Sequence, residues 1–179
     1  MSDVDGIDRE IDRNRQTMRR ALEEVAANKK LSQTGKDEES AQLRKAAQAT
    51  HEKLIAEREA TIQAEHGRLY DRAFKHGVAG TDSYRQAYSQ ADAAATQSPK
   101  ALQRLIGQAK RTGDTFLERA AYHAAFDSGH VGLLSDAPGA VQAVLEYEIR
   151  HGLRKATGTA RTRQIEQRLA DSVRTTAPR

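Results

Sequence analysis

Six histidines, at positions 51, 66, 76, 123, 130 and 151, are the side chains best suited to proton transfer or metal binding. Helical zinc sites need ligands one turn apart, as in HExxH, or a cysteine set. No two of these histidines have that spacing, and the chain has no cysteine. The acidic pairs Glu23-Glu24 and Glu38-Glu39 fall on charged helix faces, where no low-dielectric pocket can separate their pKa values for acid–base work. There is no GxSxG nucleophile elbow, and Gly77 and Gly80 precede a helix without the Lys-Ser/Thr ending of a phosphate-binding loop. The sequence therefore implies no catalytic residue, no metal, no cofactor and no enzymatic activity.

Positive charge is the one chemically pointed feature. From Arg150 to the end, eight Lys and Arg residues face Glu166 and Asp171 alone, although the whole chain carries only +4. Arg161, Arg163, Arg168 and Arg174 are thus candidates to contact phosphates, releasing counterions from nucleic acid. No aromatic follows Tyr147, so base stacking is not on offer and such binding would be tolerant of sequence. A basic arm that docks on an acidic protein surface is the competing reading.

The elements that would hold these residues are helices. Helix formers dominate, the three prolines stand at 99, 138 and 178, and a long proline-free run precedes Pro99. With 37% hydrophobic and 4% aromatic residues against 30% charged, the compact core must be modest and much of the chain must be solvated helix. No stretch approaches eighteen apolar residues, and the acidic start MSDVDGIDRE is unlike a signal peptide, so no membrane association is expected.

Val4, Ile11, Met18 and Val25 recur every seventh residue, with Ile7 and Leu22 beside them and charges on the other faces. That narrow stripe predicts a coiled-coil-like helix over about residues 3–29, and its four heptad residues are expected to form a protein interface. Asn14 interrupts the seam, a polar insertion that can fix register. Leu31 to Gly35 breaks the helix, Ser32 caps a second one reaching about His76, and Gly77 ends it. The second seam reads Leu43, Ala47, Thr50, Leu54, Ile55, Ile62 and Leu69, with Gly67 as a candidate kink. A short loop between long helices predicts an antiparallel hairpin over residues 1–77.

A small helical bundle is expected over 78–156, and a basic helix or tail over 157–179. Thr81-Asp82 starts a helix with Tyr84, Ala87, Tyr88, Ala91 and Ala95 inward. Ser98-Pro99 starts the next, with Leu102, Leu105, Ile106 and Ala109 on one face. Gly113 ends it in a left-handed turn, and Asp114 or Thr115 caps a third helix carrying Phe116, Leu117, Ala120, Ala121, Ala124 and Ala125. A loop with Val131, Leu133 and Leu134 leads to a helix started at Asp136 and Pro138, with Val141, Val144, Leu145, Ile149 and Leu153 inward. The fold class is all-α: a long N-terminal antiparallel helical hairpin followed by a small C-terminal bundle.

Two stretches carry a resemblance. LSQTGKDEESAQLRKAAQATHEKLIAERE looks like the Leu-Ser-x-x-Gly-Lys and charged-helix segment of small helical proteins from tailed-bacteriophage structural gene clusters. ALQRLIGQAKRTGDTFLERAAYHAAFDSGHVGLL is similar to the Leu-rich helix, Thr-Gly-Asp turn and Ala-rich helix of their C-terminal halves. The resemblance implies a virion structural or assembly component, scaffolding or connector-like. Such a protein would be oligomeric, would be found in the host cytoplasm during assembly or associated with the virion, and would act on itself or on other phage structural proteins. The alternative is a nucleic-acid-binding protein, small terminase-like or regulatory, that works through the basic tail.

Overall fold

A computed structural model describes residues 3–75, 77 and 81–154, and every described element is helical. Two compact units divide at Glu65 and His66, before the expected boundary at Gly77. The division falls there because the end of the second helix belongs to the core of the C-terminal unit. Arg161, Arg163, Arg168 and Arg174 lie outside the described residues. Among those described, no helix is long and apolar enough to cross a membrane.

In the N-terminal unit, α1 spans Asp3–Ala27 and α2 begins at Gln33, continuing to Tyr70. Ser32 Oγ accepts from Gly35 N at 3.1 Å, the cap that the sequence signals. Three cross-helix bonds fix the direction of packing. Lys36 Nζ donates to Ala26 O near the turn, Asn14 Nδ2 to Ala47 O further along, and Arg58 Nε to Asp8 Oδ1 at 2.6 Å beyond that. Partners that separate steadily in sequence on both sides of one turn define an antiparallel hairpin. Ile7, Ile11 and Leu54 form its apolar cluster.

In the C-terminal unit, α2 passes at Tyr70 into a π-helical turn, Asp71–Lys75. This departure from α geometry follows the expected kink at Gly67 by one turn. Gly77 then takes φ +74°, the left-handed conformation foreseen for it. α3 spans Asp82–Gln97, with Thr81 Oγ1 accepting from Tyr84 N. α4, Pro99–Thr112, has Ser98 as cap and Pro99 in its first turn, and buries Leu102, Leu105, Ile106 and Ala109. Gly113 ends it at φ +69°. α5, Thr115–Asp127, is capped by Asp114, whose side chain accepts from Leu117 N. A short 3-10 turn at Val131–Leu133 precedes α6, Gly139–His151.

Helices α3, α4 and α5 pack on one another, and α6 packs on the π turn. α5 is the centre. Leu117, Ala120, Ala121, Tyr122, Ala124, Ala125 and Phe126 are all buried on it, so little of its circumference meets water. Phe116, expected inward, is 37% exposed because it sits in the first turn, beyond the end of α4. Leu153, also expected inward, is likewise 37% exposed, since Gly152 at φ +67° has already ended α6.

Candidate functional site

The densest polar constellation in the C-terminal unit gathers on His123. Three pairs of residues one turn apart build it: Tyr70 and Phe74 across the π turn, Tyr84 and Tyr88 on α3, and His123 and Asp127 on α5. The π turn is wider than an α turn, and it lets Tyr70 and Phe74 both reach the imidazole. Phe74 stacks on the ring at 4.5 Å with planes 9° apart, while Tyr70 meets it edge-on at 5.4 Å.

Both ring nitrogens are engaged. Tyr70 Oη lies 2.5 Å from Nε2, and Tyr84 Oη 2.9 Å from Nδ1. Asp127 accepts from Tyr88 Oη at 2.7 Å and from Tyr70 Oη at 3.2 Å, and its Oδ2 lies 3.3 Å from Nε2. One placement of protons satisfies every contact. With the imidazole neutral and its hydrogen on Nε2, that N–H points at Tyr70 Oη and Asp127, Tyr84 donates to Nδ1, and Tyr70 and Tyr88 donate to the carboxylate.

The electrostatics favour that neutral state. Burial lowers the His123 pKa below its ordinary value, the charge of Lys75 acts the same way, and Asp127 opposes both. Burial holds the Tyr70 and Tyr88 phenols well above their usual range, with Asp127 adding to each. The Tyr84 phenol is pushed up to about 12 by burial, with Arg119 opposing. An imidazole whose two nitrogens are both held by tyrosines has no lone pair left for a metal or a substrate. The arrangement is a polar lock, with a neutral imidazole at its centre, joining the end of α2, α3 and α5. A second polar knot joins His66 Nε2 to Glu148 Oε1 at 2.9 Å and Arg154 Nε to Glu148 Oε2, with Arg154 stacked 4.1 Å over Phe126.

The heptad residues of α1 are placed differently from a free interface. Val4, Ile11 and Val25 are buried within the chain, at 0%, 6% and 6% exposure. Ile11 belongs to the hairpin's own apolar cluster with Ile7 and Leu54, which a narrow stripe on one isolated helix cannot reveal. Met18 alone of the four stays half-exposed. It lines a groove of about 310 Å³ with Asn14, Arg15, Arg44, Ala47, Gln48 and His51. The hairpin seam is thus closed at Ile7, Ile11 and Leu54, closed again at Val25, and open between them.

Sequence reasoning missed the His123 lock. The visible signal was the recurrence of three aromatic or titratable pairs at a spacing of four, each on a different segment. No protein-family model matches the chain, and no curated protein or solved structure matches it either.

Proposed function

We propose that the chain is a non-enzymatic structural or assembly protein of a tailed-bacteriophage virion, acting through contacts of its N-terminal hairpin with a second copy of itself. The phage reading rests on the resemblance of the two stretches that begin at Leu31 and Ala101. The self-association reading rests on the open groove midway along the hairpin seam.

That groove and another patch of α2 are complementary. Met18 and Ala47 supply an apolar floor and Arg15 and Arg44 supply positive rims. Two turns further along α2, Ile55 is 42% exposed. Glu52 and Glu59, three residues before it and four after, share its face at 3.6 residues per turn. Ile55 of one copy fills the groove of the other, and its glutamates meet the arginines. Because the α2 wall of the groove and the knob lie on one helix, about 12 Å apart at 1.5 Å per residue from Ala47 to Ile55, a two-fold axis between them satisfies both at once. His51, whose Nδ1 is buried without a hydrogen bond, lies between them near that axis.

Light scattering across about 1–50 micromolar, a working range for an interface of modest size, tests the contact. The parent is expected to associate, and Met18→Glu and Ile55→Lys each to lower the assembly state with far-UV helicity retained. A parent that stays monomeric throughout refutes self-association. The virion reading is tested separately by the neighbouring genes: portal, capsid and tail genes support it, and a repressor or recombinase neighbourhood refutes it.

A further inference from the structure

The outward face of α4 carries a row of positive charge that no ion pair among the described residues neutralises. Lys100, Arg104 and Arg111 line a single groove of about 360 Å³ with Gln103 and Gly107. At 3.6 residues per turn the three cations fall within an arc of about 40°. Leu102, Leu105, Ile106 and Ala109 are buried on the other side of the helix. The helix has four basic residues and no acidic one, and among the described residues no carboxylate lines the groove. Among the described residues, none of the three cations takes part in an ion pair, a hydrogen bond or a ring contact. Three arginines of the N-terminal hairpin contrast with them: Arg15 pairs with Asp12, Arg19 with Glu23 and Arg58 with Asp8.

Gly107 sits in the middle of this row. Glycine in a helix interior is destabilising relative to alanine. Here the fold does not ask for it: a Cβ would meet nothing within 4 Å except Arg111 Nη1 at 3.5 Å. With no Cβ in the way, the Arg111 guanidinium lies close over the helix backbone at the centre of the row, within reach of a phosphate that also meets Arg104.

We propose that this face of α4 binds the phosphate backbone of double-stranded nucleic acid, without sequence preference. A protein partner would require an apolar anchor at the centre of its contact, and the groove has none. A phosphate strand requires what is there: cations in a line and amide donors at Gln103. From Lys100 to Arg111 the row is roughly 16 Å long at 1.5 Å per residue, enough to follow several phosphates on one strand. The inference is independent of the self-association proposed for the hairpin.

Anisotropy of a labelled 20-base-pair duplex, titrated with the full chain at several salt concentrations, provides the test. Three phosphate contacts contribute about −2.7 to the slope of log K against log salt, at about −0.9 each. That corresponds to a roughly 40-fold loss of affinity between about 50 and 200 mM salt. The variant Lys100→Gln/Arg104→Gln/Arg111→Gln is expected to bind more weakly and to show a slope flatter by about that amount. Each single substitution should flatten it by about 0.9, which keeps the test valid if the triple variant misfolds. Arginines beyond residue 154 are common to all these chains and cancel in the comparison. Unchanged slopes in every variant, or a parent that does not bind duplex at 50 mM salt, would overturn the proposal. Displacement of the duplex by polyglutamate at equal charge concentration would also overturn it, by assigning the face to acidic protein.

Discussion

Replacing Tyr84 with phenylalanine removes one oxygen atom from the His123 lock and little else. The phenol is 7% exposed as a residue and its oxygen lies 2.9 Å from His123 Nδ1. Phenylalanine keeps the ring and its packing, so the loss is confined to one hydrogen bond. The nitrogen left behind is enclosed by α3, α5 and the π turn, with Phe74 flat on the ring. An unsatisfied buried polar group of this kind is destabilising by about 1–3 kcal/mol. For a chain of 150–250 residues each kcal/mol shifts the melting temperature by about 2–4 °C. Tyr84→Phe should therefore melt below the parent, by about 4–8 °C if the loss is about 2 kcal/mol. Tyr88→Phe is the control. Its partner Asp127 has a side chain 39% exposed and can turn to water, so its loss should stay under about 1 kcal/mol. Differential scanning calorimetry of the three chains at pH 7.5 reads the result. A Tyr84→Phe melting temperature within a degree of the parent would show that Nδ1 is hydrated, and that the lock is not closed.

The same cluster should make stability fall on both sides of neutrality. Since folding lowers the His123 pKa, the unfolded chain takes up that proton first; the stability is whole above about pH 6.5 and drains away as pH falls toward the folded value. Tyr70, Tyr84 and Tyr88 have raised pKa values, so above about pH 10 the unfolded chain loses protons first and stability falls as pH rises. Absorbance of tyrosinate and far-UV dichroism should then change together on the alkaline side, and ionisation of Tyr70, Tyr84 and Tyr88 with helicity intact would contradict the burial. Ala121→Leu forces extra methylenes against neighbours at a position 0% exposed and should be destabilising by about 1–3 kcal/mol, measured by urea midpoint; an unchanged midpoint would mean that α5 is not packed all round. Ile11→Glu places a carboxylate among Ile7 and Leu54, so it should melt helix in the hairpin itself, whereas Met18→Glu at the groove should leave dichroism intact; equal dichroism for both would place Ile11 at the surface.

Local signals carried much of this fold. Ser32, Thr81 and Ser98 cap the helices they precede, and Gly77 and Gly113 take the left-handed conformation at helix ends. These features depend on a few adjacent residues, and their chemistry can be read without knowing the neighbours. The α4 stripe was equally legible, since a clean 3.6-residue repeat admits one buried face. Tyr122 and Phe126 were not expected in the core, because a helix packed on several sides has no single apolar face to find. The π turn was hidden because DRAFK differs from an α-helical sequence only in what Tyr70 and Phe74 must both touch. The His123 lock needed residues separated in sequence by 39 and 53 positions, and no local pattern encodes such a meeting. The seam of α1 was found, but whether it faces its own hairpin or another chain depends on α2.

The alanines of α5 have a consequence for how this sequence can change. Ala120, Ala121, Ala124 and Ala125 are all at most 1% exposed. A single-base change in an alanine codon yields valine, threonine, serine, proline, aspartate, glutamate or glycine. Valine and threonine are too large for a close helix contact, serine and the acids bring a polar group inward, and proline and glycine weaken the helix. No one-step neighbour is neutral at these four positions. Drift in α5 must then be compensated by paired changes on α3 or α4, so substitutions in these three helices should be correlated, while the exposed faces of the hairpin vary independently.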